Sequence, residues 1–413
     1  MSAKALEGLR IVEFCDELGS YCGKLLADLG AEVIKVEPPA GGLERHTPPF
    51  YRDQTNPDTS IAFWVHNTSK KSVTLDLESN DGRRAARALA LTADAIIEDY
   101  PVGYLAERGL GYEGLAAERP SLVYTSVTGF GQFGPHANWN YSDIIGQATG
   151  GIMTLAGDPE DQPNAIYGNQ SNVSASLHAA IGTLVALLNA ESTGVGQFVD
   201  VSAQDATSMS METAMMTWDL QKRNRVRMGD RGLLPVRIPA SGIYETADGW
   251  CTLFVTAPAG ADFPALVDWM AEKSMAGDLQ EEPYASLCAN LNMRMLTQVM
   301  VDPDSAKDIL GQLEHIHELV AAFCRTMPSR QLYEEGQARL LLIGIVSTPV
   351  DLAENTQLRA RDWFEKLSFE FLDAVLEFPG PPYRLSESPT EIRRPPRLGE
   401  HNDEVLSAPG ATA

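Results

Sequence analysis

Residues 9–36 read LRIVEFCDELGSYCGKLLADLGAEVIKV, and this stretch decides the fold class. It begins with a short apolar run rich in β-branched residues, 9–14, which is typical of a buried strand. Residues 21–29 have helical spacing, Gly30 ends the predicted helix, and residues 31–36 form a second strand-like run. A strand, a helix and another strand in so short a span predict a parallel β–α–β unit.

The same alternation continues through the first half of the chain. Strand-like runs recur at residues 72–77, 93–98 and 122–128, with a helical pattern at 81–91. Residues 174–190 predict a long helix of small and apolar residues, suited to burial against another helix or subunit. The sequence therefore predicts an α/β fold in which helices cover both faces of a parallel sheet.

The pattern changes near residue 222. The basic run 222–231 reads as a linker, with phosphate binding or a subunit contact as alternatives, and two β-rich runs around Asp248 and Gly249 predict a hairpin. Helical patterns fill residues 261–332, a strand-like run follows at 340–350, and the Pro- and Arg-rich tail is expected to wrap over the surface. We predict three segments: 1–222, the N-terminal part of a large domain; 223–335, a small α+β domain with its linkers; and 336–413, the return from the small domain and a tail packing on the large one.

Composition excludes several classes of function. Of 413 residues, 56 are acidic and 32 basic, a net charge of −24 that disfavours nucleic acid and anionic membranes as partners. Five scattered cysteines, with neither a CxxC pair nor a Cys/His cluster, predict no disulfide framework and no metal site. We find no secretory leader and expect no apolar stretch long enough to span a bilayer, so a cytoplasmic location is predicted.

A glycine motif follows the predicted strand at 122–128. Residues 129–134, GFGQFG, match the GxGxxG pattern of dinucleotide-binding folds. That site needs a helix beginning at the third glycine and an acidic residue about 20 positions later, whereas Pro135 and an aromatic stretch follow here. The motif instead indicates a loop whose backbone lies close to a ligand or to another chain.

Four stretches resemble the class III CoA-transferases of the CaiB/BaiF type, a family that includes the α-methylacyl-CoA racemases. They are residues 6–39, residues 67–77, residues 126–135 together with 179–206, and residues 398–406. They occur in the family's order across nearly the whole chain. Residues 15–39 and 268–279 are also similar to subunits of heteromeric members that act on benzylsuccinate in anaerobic toluene degradation.

The resemblance implies a fold and a chemistry. The fold is a Rossmann-like large domain with an inserted small domain, and two chains interlock as a dimer. The chemistry needs coenzyme A as a substrate and no metal: an aspartate attacks an acyl-CoA thioester, an enzyme-bound CoA thioester forms, and an acceptor acid takes the CoA.

The chain departs from the family at the nucleophile. The family aspartate lies ten positions before the glycine of the AAIG helix, which is Gly182 here, and that position is Asn172. An uncharged amide is a poor nucleophile. Where the racemases have a histidine, this chain reads Tyr141, Ser142 and Asp143, so racemase activity is also disfavoured.

The leading hypothesis is therefore a subunit of a heteromeric transferase that lacks the nucleophile. It moves CoA from a succinyl-CoA-type donor to an acid such as an arylalkylsuccinate, and a homologous subunit supplies the aspartate. A homodimeric transferase with a different nucleophile, and a catalytically silent CoA-binding or scaffolding protein, remain as alternatives.

The resemblance to CoA-transferases also suggests candidate CoA-binding residues. The phosphates of CoA need local positive charge in so acidic a chain. The candidate cations are Lys70 and Lys71, in the NTSKKS stretch, and Arg108, beside the GLGY turn. Asp99, Gly129 and Gly131 are assigned to the same pocket.

Overall fold

The computed structural model describes residues 4–231, 237–255, 261–292, 294–295 and 307–407. These residues belong to two compact units. The first unit comprises Met1–Ile152, Ala165–Gln221 and Thr356–Ala413, and the second comprises Met153–Asn164 and Lys222–Asn355.

The strands form one large sheet and two small ones. They are β1 Arg10–Phe14, β2 Glu32–Glu37, β3 Lys71–Thr74, β4 Ala95–Glu98, β5 Val123–Thr128, β6 Phe198–Ser202, β7 Ser241–Glu245, β8 Trp250–Phe254, β9 Ile343–Ile345, β10 Phe364–Phe369 and β11 Ala374–Pro379.

The helices alternate with the strands of the first half and dominate the second unit. They are α1 Ser20–Asp28, α2 Ile61–His66, α3 Asn80–Ala90, α4 Tyr104–Glu107, α5 Tyr112–Ala116, α6 Asp143–Thr149, α7 Gln170–Thr193, α8 Ala203–Ser208, α9 Glu212–Gln221, α10 Phe263–Glu272, α11 Tyr284–Asn290, α12 Lys307–Cys324, α13 Ser329–Ala338, α14 Pro349–Ala353, α15 Thr356–Ala360 and α16 Asn402–Leu406.

The large sheet has the strand order β3-β2-β1-β4-β5-β6, and all of its neighbouring strands are parallel. The chain runs outward from β1 through β2 to β3, and then crosses to the other side of β1 for β4. This reversal leaves a crevice beyond the carboxyl ends of β1 and β4, where open α/β sheets bind their ligands. The predicted mixed α/β fold is confirmed.

Both faces of this sheet are buried, which explains the near-continuous apolar strands. Neighbouring residues on a strand point to opposite faces. Accordingly Ile11 belongs to one buried cluster together with residues of α1 and α7, while Val12 belongs to another together with residues of α3. Burial on both sides removes the polar alternation that a solvent-facing strand shows.

Helix α7 is the one helix in the described residues that is long and apolar enough to cross a membrane, by length and composition. The expectation that no stretch reaches this length is therefore wrong. The helix packs along the sheet and on α1, and alanines such as Ala175 and Ala179 are fully buried there. Small residues on that face let the helix axis approach the strands closely, as a core helix requires.

The second unit has its own core and its own sheet. Strands β7 and β8 form the hairpin predicted around Asp248 and Gly249, and β9 adds an antiparallel third strand. Helices α10, α12 and α13 supply most of the apolar residues, among them Trp269 and Phe323, whose rings meet edge to face at 5.0 Å.

Each unit contains a segment that is distant in sequence from the rest of that unit. Residues 153–164, which the sequence analysis placed in the large domain, belong to the second unit because Arg227 donates to the carbonyls of Asp158 and Asp161. Residues 356–407 belong to the first unit, where Asn402 accepts a hydrogen bond from the Thr74 amide at 2.8 Å. The exact limits of the three predicted segments otherwise stay predictions.

Candidate functional site

A cavity of about 660 Å³ lies at the reversal point of the sheet in the first unit. Its walls come from the segments that follow β1, β4 and β5, and from the first turn of α7. Its lining includes Asn172, Asp99 and Gly129, so three of the residues selected from the sequence meet in one place. We call it the Asn172 cavity.

Asn172 is held at the start of α7. The backbone amides of Ser171 and Asn172 donate to Asp143 Oδ1, at 2.8 and 3.1 Å. The hydroxyl of Tyr141 donates to Asn172 Oδ1 at 2.9 Å, and the Asn172 side chain is buried. The residue is thus fixed by its neighbours, and its amide carries neither a negative charge nor a lone pair suited to attack on a thioester.

The residues that follow β1 and β4 place carboxyl groups in the same cavity. Asp99 accepts hydrogen bonds from the backbone amides of Asp16, Leu18 and Gly19, at 2.9 to 3.0 Å, and so shapes the loop before α1. Burial raises the pKa of Asp99 to about 7, against the opposing effect of these amides. Burial likewise raises the pKa values of Asp16 and Glu17, which also line the cavity.

The lining of the Asn172 cavity, as far as the structure describes it, is acidic. Among its described lining residues are the carboxylates of Asp16, Glu17 and Asp99, and no lysine, arginine or histidine. A phosphate or a free carboxylate bound there would lie close to these acidic side chains and would contact no cation among the described lining residues. The described lining therefore does not supply the positive charge that CoA phosphates or a dicarboxylate require.

The glycine loop after β5 is shaped by packing. A Cβ at Gly129 would lie 2.5 Å from the Tyr141 ring, and Gly131 has a φ of +82°, which favours glycine. The next amide, that of Gln132, donates to Asp200 at 3.0 Å. Gly129 lines the Asn172 cavity, whereas Gly131 does not. The loop brings the backbone of Gly129 to the wall of the cavity, and its predicted approach to a ligand or to another chain stays a prediction.

Lys70 occupies a buried position that argues against the predicted contact with CoA. Its ammonium donates to Glu13 Oε1 at 2.9 Å, to the Ser20 carbonyl at 2.7 Å and to Asn67 Oδ1 at 2.8 Å. An ammonium has three donors, so all of them are used inside the protein. The charge balances Glu13, a fully buried carboxylate of β1 that also pairs with Lys35.

Lys71 and Arg108 are partly exposed but are paired with acids. Lys71 contacts Glu32 and Glu404, each at 2.6 Å. Arg108 contacts Glu78 at 2.7 Å, and its guanidinium lies 3.6 Å from the centre of the Tyr104 ring. Neither of the two lines the Asn172 cavity. Their assignment to CoA binding stays a prediction that none of these contacts tests.

The residues that the sequence analysis missed are Asp16 and Glu17. They follow the first strand directly, and the carboxyl ends of β1 and β4 flank the reversal point of the sheet. Once the strand order is known, acidic residues directly after such a strand can be recognised in the sequence as candidate site residues. Tyr141 and Asp143 were noted only for replacing a histidine, whereas the structure shows that they hold Asn172 in position.

Comparison with known proteins assigns the chain to a family. The sequence profile of CoA-transferase family III matches residues 6–402. The chain is 34% identical over 406 residues to the succinyl-CoA:(R)-benzylsuccinate CoA-transferase subunit BbsE of Thauera aromatica, which covers 96% of this chain and 92% of that protein. It is 28% identical to the succinate–glutarate CoA-transferase of Agrobacterium fabrum, over 97% of this chain and 95% of that one.

A solved structure agrees with these sequence matches. A CAIB/BAIF family protein from Brucella suis superposes with a TM-score of 0.82 at 26% identity, covering 98% of this chain and 99% of that chain. The fold is thus that of a CAIB/BAIF family protein, and the two relatives matched by sequence are named as CoA-transferases. On this evidence, the chain is a member of the class III CoA-transferase family.

Proposed function

We propose that this chain is the subunit of a heteromeric class III CoA-transferase that lacks the catalytic aspartate. The complex transfers CoA from a succinyl-CoA-type donor to a carboxylic acid of the arylalkylsuccinate class, and a homologous subunit provides the nucleophile. The proposal rests on Asn172, the residue that counting back ten positions from Gly182 assigns to the family's aspartate. Its side-chain oxygen accepts a hydrogen bond from Tyr141.

The charge of the Asn172 cavity supports the same assignment. Covalent catalysis by a carboxylate requires room for an anionic acid to approach the activated thioester. Here that approach would face Asp16, Glu17 and Asp99 with no cation among the described lining residues. We infer that the acid substrates react at the partner's site, and that the Asn172 cavity performs no group transfer.

One face of α7 supports assembly with a second chain. Its apolar residues Leu177, Ile181, Val185 and Leu188 recur at helical spacing and are 42 to 66% exposed. Large apolar side chains that recur along one exposed face mark a surface that another protein covers. We propose that this face contacts the homologous subunit in a cytoplasmic heteromer with the interlocked arrangement of the family.

Reconstitution tests the proposal. The chain is produced alone and together with a homologue that has aspartate at the corresponding position, and CoA transfer from succinyl-CoA to benzylsuccinate is followed by chromatography. We expect turnover only from the pair. In the pair, Asn172→Ala should leave most of the rate, whereas aspartate→asparagine in the homologue should lower it by several orders of magnitude. Turnover by this chain alone would contradict the proposal.

A homodimeric transferase with a different nucleophile is the second candidate, because Glu17 lines the cavity that contains Asn172. In that case the isolated chain would form a covalent CoA thioester with succinyl-CoA, detectable as a mass increase of the intact protein. The adduct would be lost in Glu17→Gln and retained in the matched control Glu113→Gln, which changes an exposed carboxylate outside the cavity.

A further inference from the structure

A second, smaller cavity of about 230 Å³ lies in the first unit, between the loop before β3 and the C-terminal tail. We call it the tail pocket. Lys71, which lines it, begins β3 and contacts Glu32 at the start of β2, so the pocket lies at the amino ends of these strands. The Asn172 cavity lies beyond the carboxyl ends of β1, β4 and β5. No residue lines both cavities.

The tail pocket is built by a reciprocal contact between two distant segments. The Ser69 amide donates to the Arg393 carbonyl at 2.9 Å, and the Arg393 amide donates to Ser69 Oγ at 3.0 Å. Ser69 itself is buried and has a φ of +63°. These contacts fix the backbone of Arg393 beside β3 and so determine where its side chain starts.

Two hydrogen-bond donors at the pocket lack strong protein partners. The Arg393 guanidinium has one recorded contact, the Ser69 carbonyl at 3.5 Å, and no carboxylate of the described chain lies within ion-pair distance of it. His401 accepts the Ser72 amide on Nδ1 at 3.2 Å, so Nε2 carries the hydrogen. That Nε2–H has no acceptor among the described residues.

The other charges at the pocket are matched. Arg394 pairs with Glu400 at 2.5 Å and holds the pKa of that carboxyl at about 2. Lys71 is matched by Glu32 and Glu404. The charge of Arg393 therefore remains unmatched. A guanidinium and a neutral imidazole N–H that line the same pocket suit an anion with several acceptor oxygens. A phosphate group can accept two hydrogen bonds from the planar fork of arginine.

We propose that the tail pocket binds a phosphate group, held by the Arg393 guanidinium and by the Nε2–H of His401. The volume of the pocket is below the roughly 300 Å³ of a site for a drug-sized ligand. It accommodates inorganic phosphate or the phosphate end of a nucleotide whose remainder extends into solvent. The pocket shares no lining residue with the Asn172 cavity, and Lys70 and Lys71, which the sequence analysis assigned to the CoA phosphates, also line it. The proposal rests on Arg393 and His401 and does not depend on the function proposed above.

Calorimetric titration of the full chain tests the site, with inorganic phosphate and adenosine 3′,5′-bisphosphate as separate probes. We expect saturable binding of at least one probe at millimolar concentrations, weakened roughly tenfold or more by Arg393→Gln, because a charge-assisted hydrogen bond is lost. Tighter binding of the bisphosphate identifies a nucleotide as the ligand, and equal or tighter binding of phosphate identifies the free anion.

The matched control is Arg397→Gln. Arg397 is an exposed arginine of the same tail that does not line the pocket, and its guanidinium lies 5.8 Å from the centre of the Phe371 ring. This variant should bind like the wild type. No saturable binding of either probe, or equal weakening in both variants, would overturn the proposal. Unchanged thermal unfolding of Arg393→Gln excludes a folding defect as the cause of lost binding.

Discussion

The Tyr141 hydroxyl lies 2.9 Å from Asn172 Oδ1 and donates a hydrogen bond to it. Asp143, two residues after Tyr141, accepts the backbone amides of Ser171 and Asn172. A carboxylate at position 172 would therefore lie close to that of Asp143, in a partly buried site where like charges repel strongly. The nearby Asp143 carboxylate therefore disfavours a second charged carboxylate at position 172.

The first prediction concerns Asn172→Asp. We expect the isolated variant to form no CoA thioester with succinyl-CoA, because repulsion from Asp143 favours the protonated form of the new carboxyl. We also expect it to be about 1–3 kcal/mol less stable than the wild type near neutral pH. Intact-protein mass spectrometry and urea unfolding measure the two quantities. A covalent adduct would show that only the nucleophile had been lost.

The second prediction separates two neighbouring lysines. Lys70→Ala leaves Glu13 buried with a single cation and should cost about 3–5 kcal/mol of the free energy of unfolding. Lys71→Ala removes only two partly exposed ion pairs, with Glu32 and Glu404, and should cost about 1 kcal/mol or less. Urea unfolding of both variants gives the comparison. Similar losses for the two would contradict the structural role of Lys70.

The third prediction is a pH dependence of stability. Burial raises the pKa of Glu98 to about 8 and that of Asp99 to about 7. A carboxyl with a raised folded-state pKa binds its proton more tightly in the folded chain. Its contribution is therefore complete at low pH and is lost as the pH rises from about 4 to about 8.

Denaturant unfolding at several pH values measures this dependence. Over that interval Glu98→Gln should show a shallower fall in stability than the wild type, because an amide does not titrate. The control Asp81→Asn changes an exposed carboxylate and should retain the wild-type slope. An unchanged slope in Glu98→Gln would exclude this carboxyl as the source.

The fourth prediction concerns assembly through α7. Ile181 is 59% exposed on the apolar face of the helix. Replacing it by aspartate buries a charge wherever a partner covers that face, so Ile181→Asp should weaken association with the homologous subunit tenfold or more. Sedimentation of the mixed subunits measures the affinity of this association. The control Glu191→Gln changes an exposed residue of the same helix and should assemble normally.

Local patterns predicted the fold well and individual side chains less well. The alternation in residues 9–36 predicts β1, α1 and β2 because burial on both faces of a sheet requires continuous apolar strands. Lys70 was assigned to the phosphates of CoA. Its actual partner, Glu13, lies 57 residues earlier, and no local pattern reveals a buried ion pair at that separation. Asn172 was identified only by counting along the family's motif.

The second unit shows the same limit. In sequence, residues 153–164 resemble any other loop of the large domain. Their association with the second unit depends on Arg227, which lies more than 60 residues later, so no local pattern reveals it. That arginine belongs to the basic run 222–231, for which the sequence offered only a linker, a phosphate site or a subunit contact. Hydrogen bonds from its guanidinium to two loop carbonyls assign Arg227 a role within its own unit.

Asn172 has a consequence for stoichiometry. If two related chains pair and one of them carries an amide at the nucleophile position, each pair contains a single residue able to hold an acyl group. Trapping the enzyme during turnover should then label half of the polypeptides at most, and all of the label should lie on the homologue. In a homodimer with two working nucleophiles, every polypeptide could be labelled. The number of covalent adducts per chain therefore shows whether one or both subunits carry a nucleophile.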